Sequence, residues 1–128
     1  MERQLKEKNI KITPQRLELT KKLKELKNTH PSFKEIYRAV KATHPNVSRS
    51  TVHENLKLLV EHDIIRSFQY KGETRYEMSS DLHVNLAESD GTIRDIQNQQ
   101  INKHLEEILR ILKEEEGIKV KTLLALVE

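Results

Sequence analysis

Cysteine is absent from this 128-residue chain, and that absence removes disulfides, thiolate metal sites and a cysteine nucleophile together. No apolar run approaches the roughly 20 residues needed to cross a bilayer, so no membrane association is expected. The opening stretch MERQLKEKNIK is charged throughout and lacks the apolar segment of a secretory signal. A cytoplasmic address is the expectation. Three glycines in all leave no phosphate-binding glycine loop, and no nucleophile elbow is present. An enzyme is therefore not expected. Nor does any stretch repeat at a fixed period, which excludes tetratricopeptide and similar solenoids.

Charge, by contrast, is abundant: 34% of residues are charged against 35% hydrophobic. That balance supports a modest core, enough for one ordinary domain or two small ones. The net charge of +3 hides a split. Residues 1–60 hold 14 Lys/Arg against 6 Asp/Glu, whereas residues 61–128 hold 9 against 14. A basic front and an acidic rear suggest a module for a polyanion joined to a module with another task. Solvated helix faces are the plainer alternative.

The spacing predicts a short polar helix in ERQLKEKN, then a second helix in ITPQRLELTKKLKELK with Thr13 as N-cap and Pro14 at its first position. Leu17, Leu19, Leu23 and Leu26 supply its apolar residues. HPSFKEIYRAVKATHP repeats the grammar: Ser32 caps, Glu35 completes a capping box, and Phe33, Ile36, Tyr37 and Val40 form a buried stripe. Ser48 caps a further helix whose Val52, Leu56 and Leu59 face inward. IIRSFQY and TRYEMS then read as strands of a hairpin about KGE. Three helices and a hairpin make a winged helix-turn-helix, expected over residues 1–80.

From residue 81 the period changes. LHVNLAES and GTIRDI alternate around SDG as a second hairpin. QQINKHLEEILRILKEEEG is amphipathic through Ile101, Leu105, Ile108 and Leu112, with Gly117 as C-cap, and IKVKTLLALV supplies a last strand. This β-β-α-β unit, residues 81–128, is too small to bury both faces of its sheet. Packing against a second copy is its expected route to stability, so the fold class is α+β: an N-terminal winged helix followed by a small α/β dimerisation domain. A homodimer also suits a reader of double-stranded DNA.

On a helical wheel Ser50, His53, Glu54 and Lys57 lie opposite the Val52/Leu56/Leu59 stripe, where side chains reach base edges or phosphates in a major groove. Arg49, Lys57 and Arg16 are candidate backbone contacts, and Lys71 sits at the wing tip, within reach of phosphate or minor groove. For each cation taken singly, a solvated surface charge is the alternative. Glu54 would be repelled by phosphate, yet it can accept from cytosine N4 or pair with Arg49 or Lys57. It tunes the reading without excluding DNA. Through its imidazole, His53 is expected to make DNA affinity depend on pH. His44, His62 and His104 are expected in surface or capping roles.

ITPQRLELTKKL, THPSFKEIYRAVKATHPNVSRSTVHENLKLLVEHDII, GETRYEM and GTIRDI resemble the ferric uptake regulator (Fur) superfamily, nearest in pattern to its peroxide-sensing branch. They cover most of residues 8–97 in the family's order and spacing. The resemblance implies a dimeric, sequence-specific DNA-binding repressor with one regulatory site for Fe²⁺, Mn²⁺ or Zn²⁺. Carried onto matching positions, that site comprises His30, Glu77, His83 and Asp95. The family's remaining imidazole position is Asn85 here, whose amide oxygen is a weaker ligand. Asp95, in place of glutamate, resembles the peroxide sensors, in which iron-dependent oxidation of a ligand histidine releases DNA. Mixed imidazole and carboxylate donors suit these ions, and an ion held by two domains fixes their orientation.

The chain also departs from the pattern. The two CxxC pairs of a structural zinc site are missing, as is the histidine of a further metal site after GIKV. His53 stands where the family usually has tyrosine, and Glu54 where arginine is frequent. Two other functions remain: a Fur-like regulator that binds DNA without sensing metal, and a winged-helix protein-interaction module whose Glu54 favours a basic partner.

Overall fold

A computed structural model describes residues 1–27, 29–78, 82–120 and 123–128. The chain forms two compact units, Met1–Ser80 and Asp81–Glu128. Among the described residues, no helix is long and apolar enough to cross a membrane.

The first unit opens with α1 (Glu2–Glu7). Six residues cannot sustain a helix alone, and this one is held by Leu5, which is 0% exposed in the core. Asn9 turns the chain at φ 58°, the Ile10 amide donates to the Leu5 carbonyl at 2.9 Å, and Ile10 joins the same core. The segment expected to be a polar helix is thus anchored by its one leucine.

In α2 (Pro14–Glu25) the Thr13 hydroxyl accepts from the Arg16 amide. Its buried face is Leu19, Thr20 and Leu23, while Leu17 is 37% exposed. Leu17 stands off that face because two residues along a helix turn a side chain about 200° away from Leu19. In α3 (Phe33–Thr43) Ser32 caps the Glu35 amide, but its hydroxyl also meets the Glu35 carboxylate at 3.2 Å. Ile36 and Val40 are buried, and Phe33 and Tyr37 are only half-buried. In α4 (Arg49–Glu61) Ser48 accepts from the Thr51 amide and Val52, Leu56 and Leu59 enter the core.

Asp63, at φ 57°, then reverses the chain. Ile64 and Ile65 are buried before the strand begins, so β1 is Arg66–Tyr70, shorter than the apolar run suggests. It pairs antiparallel with β2 (Glu73–Glu77), from Tyr70↔Glu73 to Arg66↔Glu77. The turn is the two residues Lys71 and Gly72, both at positive φ (51° and 75°), as hairpin twist requires. A bridge Ser32↔Arg75 and a hydrogen bond from the Tyr76 amide to the Pro31 carbonyl tie the loop before α3 to β2.

The second unit holds β3 (Val84–Ala87), β4 (Ile93–Ile96), α5 (Gln99–Glu114) and β5 (Ala125–Val127). Its sheet order is β4-β3-β5, with β3 antiparallel to β4 and parallel to β5. The C-cap of α5 is Glu115, and Gly117 turns left-handed (φ 65°) two residues later, placing the Ile118 amide on the Leu112 carbonyl. The strand is shorter than IKVKTLLALV; Lys121 and Thr122 lie outside the described residues. Leu105 alone among the α5 residues is buried, while Ile108, Ile118, Leu124 and Val127 are 44–50% exposed. Apolar surface of that kind marks an interaction face.

Candidate metal centre and nucleic-acid face

His30 is buried, in the left-handed region at φ 49°. The tie between Pro31 and Tyr76 brings its ring beside Glu77, with Nε2 3.3 Å from Oε2. The other Glu77 oxygen lies 3.0 Å from the Arg66 guanidinium, directly across the hairpin. Arg75 donates to the His30 carbonyl at 3.2 Å, and the His30 ring meets Phe68 edge-on. A buried carboxylate is costly unless charges and donors surround it. Here histidine takes one oxygen and arginine the other.

In the second unit the His83 Nε2 lies 3.4 Å from the Asp95 Oδ1. His83 immediately precedes β3 and lies two residues before the buried Asn85, so in extended chain the two share one face. Asn85 is opposite Asp95 in the β3–β4 register, and cross-strand partners point the same way. One sheet face thus carries imidazole, amide and carboxylate. His30, Glu77, His83 and Asp95 each offer one ligand atom. Each unit thus offers an imidazole nitrogen and a carboxylate oxygen, and the second an amide oxygen besides, donor types that suit a borderline-to-hard divalent ion such as Fe²⁺, Mn²⁺ or Zn²⁺. His44 and His62 are the C-caps of α3 and α4, and His104 is exposed on α5.

The cations proposed for DNA fall into three settings. Arg16 is engaged internally: Nε donates to Asn55 Oδ1 at 2.8 Å and Nη1 to the Lys11 carbonyl at 2.6 Å. Asn55 in turn donates to the Thr51 carbonyl, so Arg16 clamps the start of α2 to α4. Lys57 and Ser50 are exposed on α4, and Lys57 pairs with Glu61 at 3.9 Å. Lys71 is exposed at the wing tip, its ammonium 5.3 Å from the Tyr70 ring centre. Arg49 lies over Phe33 and Tyr37. Glu54 is exposed, and among the described residues no ion pair engages it.

Sequence reasoning missed Arg66, although counting Lys71–Gly72 as a two-residue turn pairs Tyr70 with Glu73 and, four steps on, Arg66 with Glu77. It also missed that His53 stacks flat on Phe33, with ring centres 3.6 Å apart and planes within 4°. No periodicity reports a contact between two helices.

Helices α2, α3 and α4, the β1–β2 wing and a following β-β-α-β unit define the class, a winged-helix transcription regulator. The particular family follows from the comparisons: the sequence pattern of the Ferric uptake regulator family matches residues 7–124. The chain belongs to that family, whose members are metal-responsive, DNA-binding transcription regulators and not enzymes. It is 31% identical over 103 residues to the ferric uptake regulation protein homolog of Archaeoglobus fulgidus, covering 80% of each chain. It is 32% identical over 101 residues to the peroxide-responsive repressor PerR of Staphylococcus aureus, covering 77% of this chain and 68% of that protein. Its fold is similar to that of a zinc-bound manganese uptake regulator, with TM-score 0.73 and 26% identity, covering 98% of this chain and 96% of the other.

Proposed function

We propose that this protein is a cytoplasmic, homodimeric, sequence-specific repressor whose grip on double-stranded DNA is set by one divalent ion. His30, Glu77, His83 and Asp95 would hold the ion, with the Asn85 amide oxygen as a further, weaker donor. The observation that carries the reading is an imidazole–carboxylate pair in each unit, at 3.3 and 3.4 Å. Bound there, the ion would supply positive charge shared by ligands from both units. The chain's own part is to present those ligands. The Pro31–Tyr76 tie and the hairpin register hold His30 and Glu77, and the β3–β4 ladder holds Asn85 and Asp95, with His83 next to its end. An orientation favoured in this way raises DNA affinity only as far as the ion prefers that state.

The acidic second unit with its exposed Ile108, Ile118, Leu124 and Val127 supports the dimer role. The basic first unit supports the DNA role, through Arg49, Ser50, His53, Lys57 and Lys71, with Arg16 steadying α4. The similarity to PerR raises peroxide as the signal; its mark would be one added oxygen on His30 or His83. Isothermal titration of chelator-stripped protein with Mn²⁺, Fe²⁺ and Zn²⁺ tests the site: one ion per protomer is expected, and His83→Ala should lose it. Absence of a stoichiometric ion would favour a second reading, constitutive DNA binding. Asn85, standing where the family has a further imidazole, favours that second reading.

A further inference from the structure

Phe33, Tyr37 and Lys41 stand at successive turns of α3, and Arg49 and His53 at successive turns of α4. These five side chains interleave. The His53 imidazole lies on Phe33 at 3.6 Å, Phe33 stacks with Tyr37 at 6.0 Å, and the Arg49 guanidinium carbon sits 5.3 and 5.1 Å from the two ring centres. Lys41 closes the row, 5.3 Å from the Tyr37 ring centre, with its ammonium donating to the Tyr37 hydroxyl at 3.2 Å. Phe33 and Tyr37 are half-buried and His53 is exposed.

Flat groups of this kind divide their bonding by direction. An imidazole face on a phenyl ring uses dispersion, while its two nitrogens lie in the ring plane and stay available at the rim. A guanidinium over an aromatic ring likewise gains on its face and keeps N–H donors for acceptors at its edge. A side chain already held in this way has less rotamer freedom left to lose on binding.

We propose that Phe33 and Tyr37 are a positioning platform that presents Arg49 and His53, rims outward, to base edges in a DNA major groove. The reading edge of α4 is then its α3-facing side, and Glu54 and Lys57 flank it. This inference rests on the DNA-binding reading above and goes beyond it, because it assigns sequence discrimination to an aromatic pair that touches no base. Arg49 donors meeting adjacent acceptors favour guanine, which offers N7 and O6 together.

The test begins with duplexes selected from a centrally randomised library by the Mn²⁺-loaded wild-type protein. Affinities for the selected duplex and for a scrambled one are then measured across salt for wild type, Phe33→Leu, Phe33→Tyr and Tyr37→Leu. In Phe33→Leu and Tyr37→Leu the selected-to-scrambled ratio should fall about tenfold, the worth of one well-oriented base contact. The salt slope, which counts phosphate contacts, should hold. Phe33→Tyr should retain the ratio. In nuclear magnetic resonance spectra the upfield ring shift of the His53 protons should vanish in Phe33→Leu and persist in Phe33→Tyr. A folded Phe33→Leu or Tyr37→Leu protein with undiminished selectivity would overturn the platform alone. A wild type that selects no duplex would overturn the DNA-binding reading and the platform with it.

Discussion

Replacing Arg66 by Met should lower the stability of the metal-free protein and raise its affinity for a divalent ion. Methionine keeps much of the apolar stem and removes the guanidinium that lies 3.0 Å from the Glu77 carboxylate. Losing a charge-assisted hydrogen bond costs about 1.5–3 kcal/mol, and losing one partner of a fully buried pair about 3–5 kcal/mol. The Glu77 side chain is 2% exposed but that of Arg66 is 24% exposed, so water screens part of the interaction. The lower range applies, about 2 kcal/mol. For a unit of this size that is a fall of about 8–16 °C in Tm. With one cation fewer beside the ligands, Mn²⁺ should bind at least about tenfold tighter, even if the repulsion is screened as in bulk water, at a dielectric constant of about 80. The ion should then restore stability with the logarithm of its concentration over Kd. Thermal melts by far-ultraviolet circular dichroism, in chelator and then with Mn²⁺, read both effects. An Arg66→Met protein that matches wild type in chelator and binds Mn²⁺ no more tightly would refute the reasoning.

Leu5→Ala should cost about 2–5 kcal/mol, because α1 is held by this one sealed side chain; urea denaturation gives the value, and a cost under about 0.5 kcal/mol would mean that α1 contributes nothing to the core. Thr43 donates to the Glu18 carboxylate at 2.6 Å and holds its pKa below the ordinary 4.5. A depressed carboxylate stabilises above its unfolded pKa, so Thr43→Val should lose about 0.5–1 kcal/mol at neutral pH. The deficit should disappear as pH falls below 4.5 and through the lowered folded value; a deficit unchanged at acid pH would assign the loss to packing.

The parts of the fold that were legible in the sequence are those decided locally. Thr13, Ser32 and Ser48 cap their helices because a short hydroxyl side chain beside a free amide has few other uses. The Val52/Leu56/Leu59 stripe is likewise fixed by helical spacing. Leu5 escaped notice because one leucine among polar residues has no period to report. Leu17 lies off the buried face because its two-residue step to Leu19 turns it about 200° away. In the candidate site, His30, Glu77, His83 and Asp95 emerged through resemblance, since nothing in their spacing along the chain pairs them. Arg66 required the hairpin register. His53 was placed on the outward face correctly by angle, but its ring leans onto Phe33, and only a packed pair of helices decides that.

The central claim is that one divalent ion, held by ligands from both units, controls the hold on DNA. Fluorescence anisotropy of a selected duplex titrated with wild type and His83→Ala, in chelator and in Mn²⁺, tests it most directly. The account predicts a gain in wild-type affinity of at least about tenfold on adding the ion, and no gain in His83→Ala. Equal wild-type affinity with and without the ion, or a His83→Ala protein that responds as wild type does, would contradict it.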